Sequence, residues 1–323
     1  MSERPDPEPA DEAPEVVSAP PPEPKGEGSL SWRLLGVVKT IRPHQWVKNV
    51  FVLAPVVFAK EIFSPLLLFR AVGAFSVFCL LAGAVYTIND LADVEADRAH
   101  PVKRHRPIAS GRVPVPVARV LAVLLILLAL GGAAYGPLPF LVVAATYFGL
   151  NLAYSFKLKH VAYVDVSIIA AGFVLRVMAG GYATRIDVSS YLLLCTALLA
   201  LFLGFGKRRH EVAMARAGKQ RAALESYTRR GLDVSLGITA LLTVITYVAY
   251  TLDPHTRAFF HTDYLWVSVV FVIAALARFL HLVRNRPNAE SPTQEILRDG
   301  PFVAILLGWA VLVFWVVYNL RPS

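Results

Sequence analysis

Asn89-Asp90-Leu91-Ala92-Asp93-Val94-Glu95-Ala96-Asp97 gathers four carboxylates and one amide within nine residues. On a helix Asp90, Asp93 and Asp97 stand at i, i+3 and i+7 and share one face, while Asn89 and Asp93 pair at i, i+4. Carboxylates this close repel one another unless a cation lies among them. Oxygen-only donors select a hard ion, and Mg²⁺ held by a few carboxylates commonly completes its shell with substrate phosphates. Asn89, Asp90, Asp93 and Asp97 are therefore candidate metal ligands. The plainer alternative is a solvated acidic helix end. Metal is favoured because the cluster follows a bilayer-length apolar run and abuts a basic one.

That basic run is His100-Pro101-Val102-Lys103-Arg104-His105-Arg106, continuing to Arg112. A cytoplasmic loop would carry such residues without any function. A metal-bound diphosphate would also explain why they adjoin the carboxylates, because Arg offers a planar fork and Lys a point charge to phosphate oxygens. Lys103, Arg104 and Arg106 are thus candidates for substrate binding.

Further along, Asn151-Leu152-Ala153-Tyr154-Ser155-Phe156-Lys157-Leu158-Lys159, followed by Asp165, places one tyrosine, two lysines and an aspartate at one membrane face. Tyr and Lys are also ordinary interfacial anchors, so both readings stay open for Tyr154, Lys157 and Lys159. Arg176 lies in the middle of an apolar stretch, where an arginine costs about 2.5–3.5 kcal/mol on insertion scales. It is expected to face a polar cavity or to bind an anion. Gly206-Lys207-Arg208-Arg209-His210-Glu211 and Ser226-Tyr227-Thr228 add Lys207, Arg208, Glu211 and Tyr227. Arg42-Pro43-His44-Gln45-Trp46-Val47-Lys48-Asn49 adds Lys48 and Asn49.

The elements that must position these residues are membrane spans. Of 323 residues 56% are hydrophobic and only 17% charged, against about a quarter charged in soluble chains. Nine apolar stretches approach the roughly 20 residues that a bilayer requires: 46–59, 66–88, 115–134, 137–154, 162–183, 189–206, 232–252, 264–283 and 302–319. The expected fold is all-α and polytopic. Lys and Arg crowd the segments before the first stretch and after the second, fourth, sixth and eighth. The alternate segments hold little beyond Lys60, Arg185 and Arg257. This alternation predicts a cytoplasmic amino terminus, an external carboxyl terminus and a candidate site wholly on the cytoplasmic side.

Residues 1–30 are rich in Pro, Glu and Ala. They hold eight carboxylates against Arg4 and Lys25, a net of −6, which leaves +15 on residues 31–323 from the total of +9. The segment is expected to be a disordered cytoplasmic tail ahead of a transmembrane catalytic domain at 31–323. The basic domain suggests anionic headgroups or substrates; nucleic acid is not expected as a partner, because no soluble basic domain is present. Cys79 and Cys195 both lie in apolar runs and suggest neither a disulfide nor a thiolate metal site. No zinc-protease histidine pair, glycine-rich phosphate loop or serine-nucleophile elbow occurs.

Asn89-Asp90-x-x-Asp93-x-x-x-Asp97 resembles the first aspartate-rich motif of the UbiA-type intramembrane prenyltransferases. Arg42 to Asn49, Asn89 to Ala109, Tyr154-Ser155-x-x-Leu158-Lys159-His160, Gly172 to Gly181 around Arg176, and Gly206-Lys207-Arg208 are similar to the decaprenyl-phosphate phosphoribosyltransferase branch. The resemblance covers roughly residues 35–320. It implies nine helices around a central cavity in the plasma (inner) membrane, with Mg²⁺ as cofactor. It also implies phosphoribosyl diphosphate and a polyprenyl phosphate as substrates, and a product that feeds a cell-wall arabinose donor. Asp90, Asp93, Asp97, Lys48 and Arg176 would carry the chemistry. A homo-oligomer is compatible with this reading. The second aspartate-rich motif of ordinary members is replaced here by Tyr154–Lys159 with a single Asp165, which argues against a prenyl diphosphate donor. An aromatic prenyltransferase on the same fold is the nearest alternative, and a transporter is a more distant one.

Overall fold

The computed structural model describes residues 29–215, 226–285 and 298–318, and every regular element among them is helical. The expected tail falls almost wholly outside these residues, as do Arg216, Lys219, Arg221 and Arg286 of the basic loops.

Among the described residues eight segments are long and apolar enough to cross a membrane. They are α3 (Pro65–Ala92), α5 (Val115–Ala134), α6 (Leu138–Phe156), α7 (Val164–Thr184), α8 (Ser190–Ala215), α9 (Arg229–Leu252), α11 (Val269–Asn285, entered through a 3₁₀ turn at Leu265–Ser268) and α12 (Gly300–Tyr318). Shorter helices are α1 (Leu30–Ile41), α2 (Ala54–Phe58), α4 (Val94–Ala99) and α10 (Pro254–Phe260). Prolines fall in the first turns of α3, α5, α6 and α10, where the missing N–H has no partner to lose. Hydroxyls inside the spans, such as those of Thr87, Thr184 and Thr243, donate to carbonyls one turn back and so need no water.

The first expected span, 46–59, is not one α-helix. Pro43–Leu53 forms a 3₁₀ helix that passes into α2. Arg42, ahead of it, sits in the left-handed region at φ 52°, which turns the chain sharply away from α1. Pro43 restricts Arg42 and parts this segment from α1, while Pro55, which has no N–H, cannot bond to Phe51 and so cannot extend an α-helical ladder back into the 3₁₀ stretch. Eleven residues of 3₁₀ helix still rise about 22 Å, so this broken segment reaches deep into the bundle. Nine expected spans thus become eight long helices and one interrupted segment.

Two large apolar cores hold the bundle, beside smaller ones around Phe260 and Ile108. Val52 of the broken segment packs with residues of α3, α5, α6 and α7, including Phe78, Leu81, Phe140 and Tyr147. Phe202 and Phe205 of α8 pack with Leu232 and Leu236 of α9, Phe279 of α11 and Phe302 of α12. α7 belongs to both: Ala179 and Ala183 enter the first core and Val166 the second. Close approach of the broken segment to α7 depends on Gly180, where an added Cβ would lie 1.9 Å from the Val52 carbonyl oxygen. Every polar cluster anticipated from the sequence gathers at, or reaches inward from, the end where α3, α6 and α8 finish and α5, α7 and α9 begin.

Candidate active site

α3 ends at Ala92, and Asp93 caps it with φ −94° and ψ 6° before α4 begins. This break changes the expected common face of Asp90, Asp93 and Asp97. Asp90 and Asp97 turn inward and are 2% and 1% exposed, whereas Asp93 faces outward and Asn89 is half-buried. Among the described residues no three His, Cys, Asp or Glu side chains form a group that could hold a metal ion. Asp90 and Asp97 instead meet over one nitrogen: Arg106 NH1 lies 3.2 Å from Asp90 Oδ1 and 2.7 Å from Asp97 Oδ2. Arg42 NH2 donates to Asp90 Oδ1 at 2.6 Å, with its guanidinium 4.8 Å above the Tyr86 ring. Lys103 Nζ stands 3.9 Å from Asp97, while Arg104 is exposed and makes no ion pair among the described residues. Two buried carboxylates that already converge on a single cationic nitrogen fit Mg²⁺, which is commonly held by one or two carboxylates plus phosphates.

Deeper in the bundle, Arg176 lies twelve residues into α7, about 18 Å along its axis. Its Nε donates to Asn49 Oδ1 at 2.8 Å and its NH2 to the Tyr147 hydroxyl at 2.6 Å. Asn49 in turn donates to Cys79 Sγ at 3.4 Å. The expected polar surroundings of Arg176 are therefore protein groups, supplied by the broken segment and α6. Lys48 is the chain neighbour of Asn49 in the broken segment, and the region that this segment shares with the buried Arg176 is cationic, a place for an anion.

The third group joins α7, α8 and the entry to α9. Asp165 is fully buried and accepts from Tyr227 OH and from its neighbour Val166 N–H; Arg208 Nε lies 2.6 Å from its Oδ2. Arg208 also pairs with Glu211, and Lys207 Nζ lies 3.9 Å from Glu211. Burial and the hydrogen bond to the Asp165 carboxylate push the Tyr227 phenol well above its ordinary pKa, so it stays a donor. Tyr227 oxygen accepts from Tyr163 N–H at 2.7 Å, and Tyr163 has a strained φ of 65°. This arrangement fixes the turn that bears Lys157 and Lys159, which are exposed and half-exposed. Tyr154 is near enough to influence Arg208.

Of the anticipated residues, the structure unites Asp90, Asp97, Arg106 and Lys103; then Asn49 and Arg176, with Lys48 next to Asn49 in the chain; then Asp165, Arg208, Glu211 and Tyr227, with Lys207 near Glu211. Asp93, Arg104, Lys157 and Lys159 remain at the rim. Arg42, Tyr86, Tyr147 and Tyr163 were not among the candidates. Arg42 had a signal, because Arg-Pro marks a chain break beside the Lys48 motif. The tyrosines had none, since their roles depend on contacts from other helices.

The family model for the UbiA prenyltransferase family matches residues 50–298. The chain is 37% identical over 289 residues to a decaprenyl-phosphate phosphoribosyltransferase of Corynebacterium glutamicum, covering 88% of this chain and 87% of that one. It is 38% identical over 289 residues to the Mycobacterium tuberculosis protein of the same name, covering 86% and 93%. A UbiA homolog from Archaeoglobus fulgidus, solved with DMAPP and Mg²⁺, superposes with a TM-score of 0.65 at 20% identity, over 88% of this chain and all of that one. The chain belongs to the UbiA prenyltransferase family, and along most of its length it is similar to that family's decaprenyl-phosphate phosphoribosyltransferases.

Proposed function

We propose that the chain transfers the 5-phosphoribosyl group of phosphoribosyl diphosphate to a polyprenyl phosphate, with release of diphosphate. The observation that carries this reading is a buried carboxylate pair ringed by Arg106, Arg42 and Lys103, with the buried Arg176 held apart from it deeper in the bundle, while Asp165 is already bound by Arg208. Such a site suits two phosphorylated substrates. The identity to decaprenyl-phosphate phosphoribosyltransferases over most of both chains supports it.

In this reading Asp90 and Asp97 would hold Mg²⁺, with Asn89 next to Asp90, and Asp93, which faces outward, would not reach it. The ion, when bound, neutralises the diphosphate and makes it a better leaving group. Arg106, Arg42 and Lys103 grip diphosphate oxygens. Lys48, Lys207 and Arg176 receive the lipid phosphate, with Asn49 and Tyr147 fixing the direction of the Arg176 fork. The bond between ribose C1 and the diphosphate oxygen breaks, and a lipid phosphate oxygen bonds to C1. That oxygen is already anionic, so no strong general base is required. Rate comes from position and electrostatics. Arg208, Glu211 and Tyr227 keep Asp165 and the Tyr154–Lys159 turn in place. The amino terminus and the site face the cytoplasm, as the distribution of Lys and Arg supports, in a plasma membrane. The product would serve cell-wall arabinose-donor synthesis.

The second reading, an aromatic prenyltransferase that uses a prenyl diphosphate, is favoured by the family and by the DMAPP-bound and GPP-bound Archaeoglobus homologs. The purified protein should move label from phosphoribosyl diphosphate into a polyprenyl phosphate in the presence of Mg²⁺, and chelation should stop it. Turnover of dimethylallyl diphosphate with an aromatic acceptor, and none with phosphoribosyl diphosphate, would overturn the first reading in favour of the second.

A further inference from the structure

Asp90 and Asp97 are almost fully buried, yet the two arginines that bind them are not: the side chains of Arg42 and Arg106 are 25% and 30% exposed. The guanidiniums therefore stand between the carboxylates and the solvent. Two carboxylates and two guanidiniums also cancel in charge. A divalent cation added to this group would face two nearby positive charges, with Lys103 a third 3.9 Å from Asp97. Such an ion is poorly held by itself. A multiply charged diphosphate that arrives with it removes the difficulty, because it balances the ion and offers the guanidiniums new oxygen partners.

We propose that Arg106 and Arg42 are exchangeable counter-ions, which occupy Asp90 and Asp97 until a divalent metal and a diphosphate arrive together and then pass to the diphosphate. Arg106 is the principal member, because its NH1 alone touches both carboxylates. Arg42 is the second, anchored from behind by the Tyr86 ring and by the left-handed turn it occupies. The consequence is a coupling between metal and diphosphate, and thermodynamic linkage makes it reciprocal: each raises the affinity of the other by the same factor. This proposal rests on the reading of Asp90 and Asp97 as the metal–diphosphate site. It goes beyond that reading by giving the same two arginines opposite effects on the metal alone and on the metal with diphosphate.

The test uses the full chain in detergent, depleted of divalent ions and titrated with Mn²⁺, with the free ion followed by its paramagnetic resonance signal. Inorganic diphosphate is the second probe. Wild type should bind Mn²⁺ alone weakly, and diphosphate should strengthen binding by about tenfold or more. Arg106→Gln should bind Mn²⁺ alone about fivefold more tightly than wild type and lose most of the diphosphate enhancement. Arg42→Gln, which leaves Arg106 on both carboxylates, should show the same pair of changes at smaller size; it supplies the comparison should Arg106→Gln not fold. Unchanged or weaker binding of Mn²⁺ alone in the folded variants overturns the exchange. Asp97→Asn separates the two failures. If it leaves Mn²⁺ binding intact with and without diphosphate, the metal site is elsewhere and both readings fall. If it abolishes binding while the arginine variants behave as wild type, only the exchange falls.

Discussion

A buried carboxylate is tolerated only with partners, and Asp97 has Arg106 at 2.7 Å and Lys103 at 3.9 Å. Asp97→Asn keeps the shape and removes the charge. Turnover should fall by about 10²–10³-fold. The thermal midpoint should fall as well, because losing one partner of a buried pair costs about 1–3 kcal/mol. A kinetic assay beside a melting curve measures both, and full activity would remove Asp97 from the site. Tyr227 is a different case, since its hydroxyl donates to Asp165 and accepts from the strained Tyr163 amide. Tyr227→Phe should cost about 1–3 kcal/mol and speed amide exchange over residues 157–163. It should lower kcat/KM through the turn that carries Lys157 and Lys159. Unchanged exchange in that turn would reduce Tyr227 to a core residue.

Among elements, the broken first segment has the most functional consequence. A regular helix over 46–59 would place Lys48 and Asn49 on a rod beside α3 and α7. The 3₁₀ path instead carries Asn49 to Arg176 and leaves Arg42 at the turn, over Asp90. Its seat against α7 has no spare room: the Val52 carbonyl occupies the space that a side chain at 180 would need. Gly180→Ala should therefore lower both the melting temperature and the activity, by more than the about 1–3 kcal/mol of ordinary overpacking, because backbone must move. Gly73→Ala, with nothing within 4 Å of the added carbon, is the matched control and should behave as wild type. Equal behaviour of the two variants would show that the segment can shift without loss. The break at Asp93 acts in the same way, because it turns Asp97 back under Arg106 while leaving Asp93 outside.

For the molecule as a whole, the alternation of basic segments predicts the direction of the bundle, and one labelling experiment tests it. In a chain with Cys79 and Cys195 replaced by alanine, His105→Cys and Asp187→Cys place single thiols at exposed positions at opposite ends. An impermeant thiol reagent on right-side-out vesicles should label Asp187→Cys and spare His105→Cys; the reverse would invert the topology. The all-helical class, eight of the nine expected spans, the gathering of Asp90, Asp97, Arg106 and Arg208 near one end and the mid-span place of Arg176 were legible from the sequence alone. Apolar run length and charge asymmetry act locally along the chain and need no knowledge of neighbours. Three things depended on tertiary structure: that Asp93 leaves the acidic face, that the first span is interrupted, and that Arg42, Tyr86 and Tyr147 belong to the site. For the residues that meet at the candidate site the deciding contact joins positions far apart in the chain, such as Arg176 with Asn49 or Arg42 with Asp90. The turn at Asp93 is instead a local change of backbone angles that helical periodicity does not register. Helical periodicity describes a straight rod; where the rod breaks, and what then meets across the gap, is set by packing against the other helices.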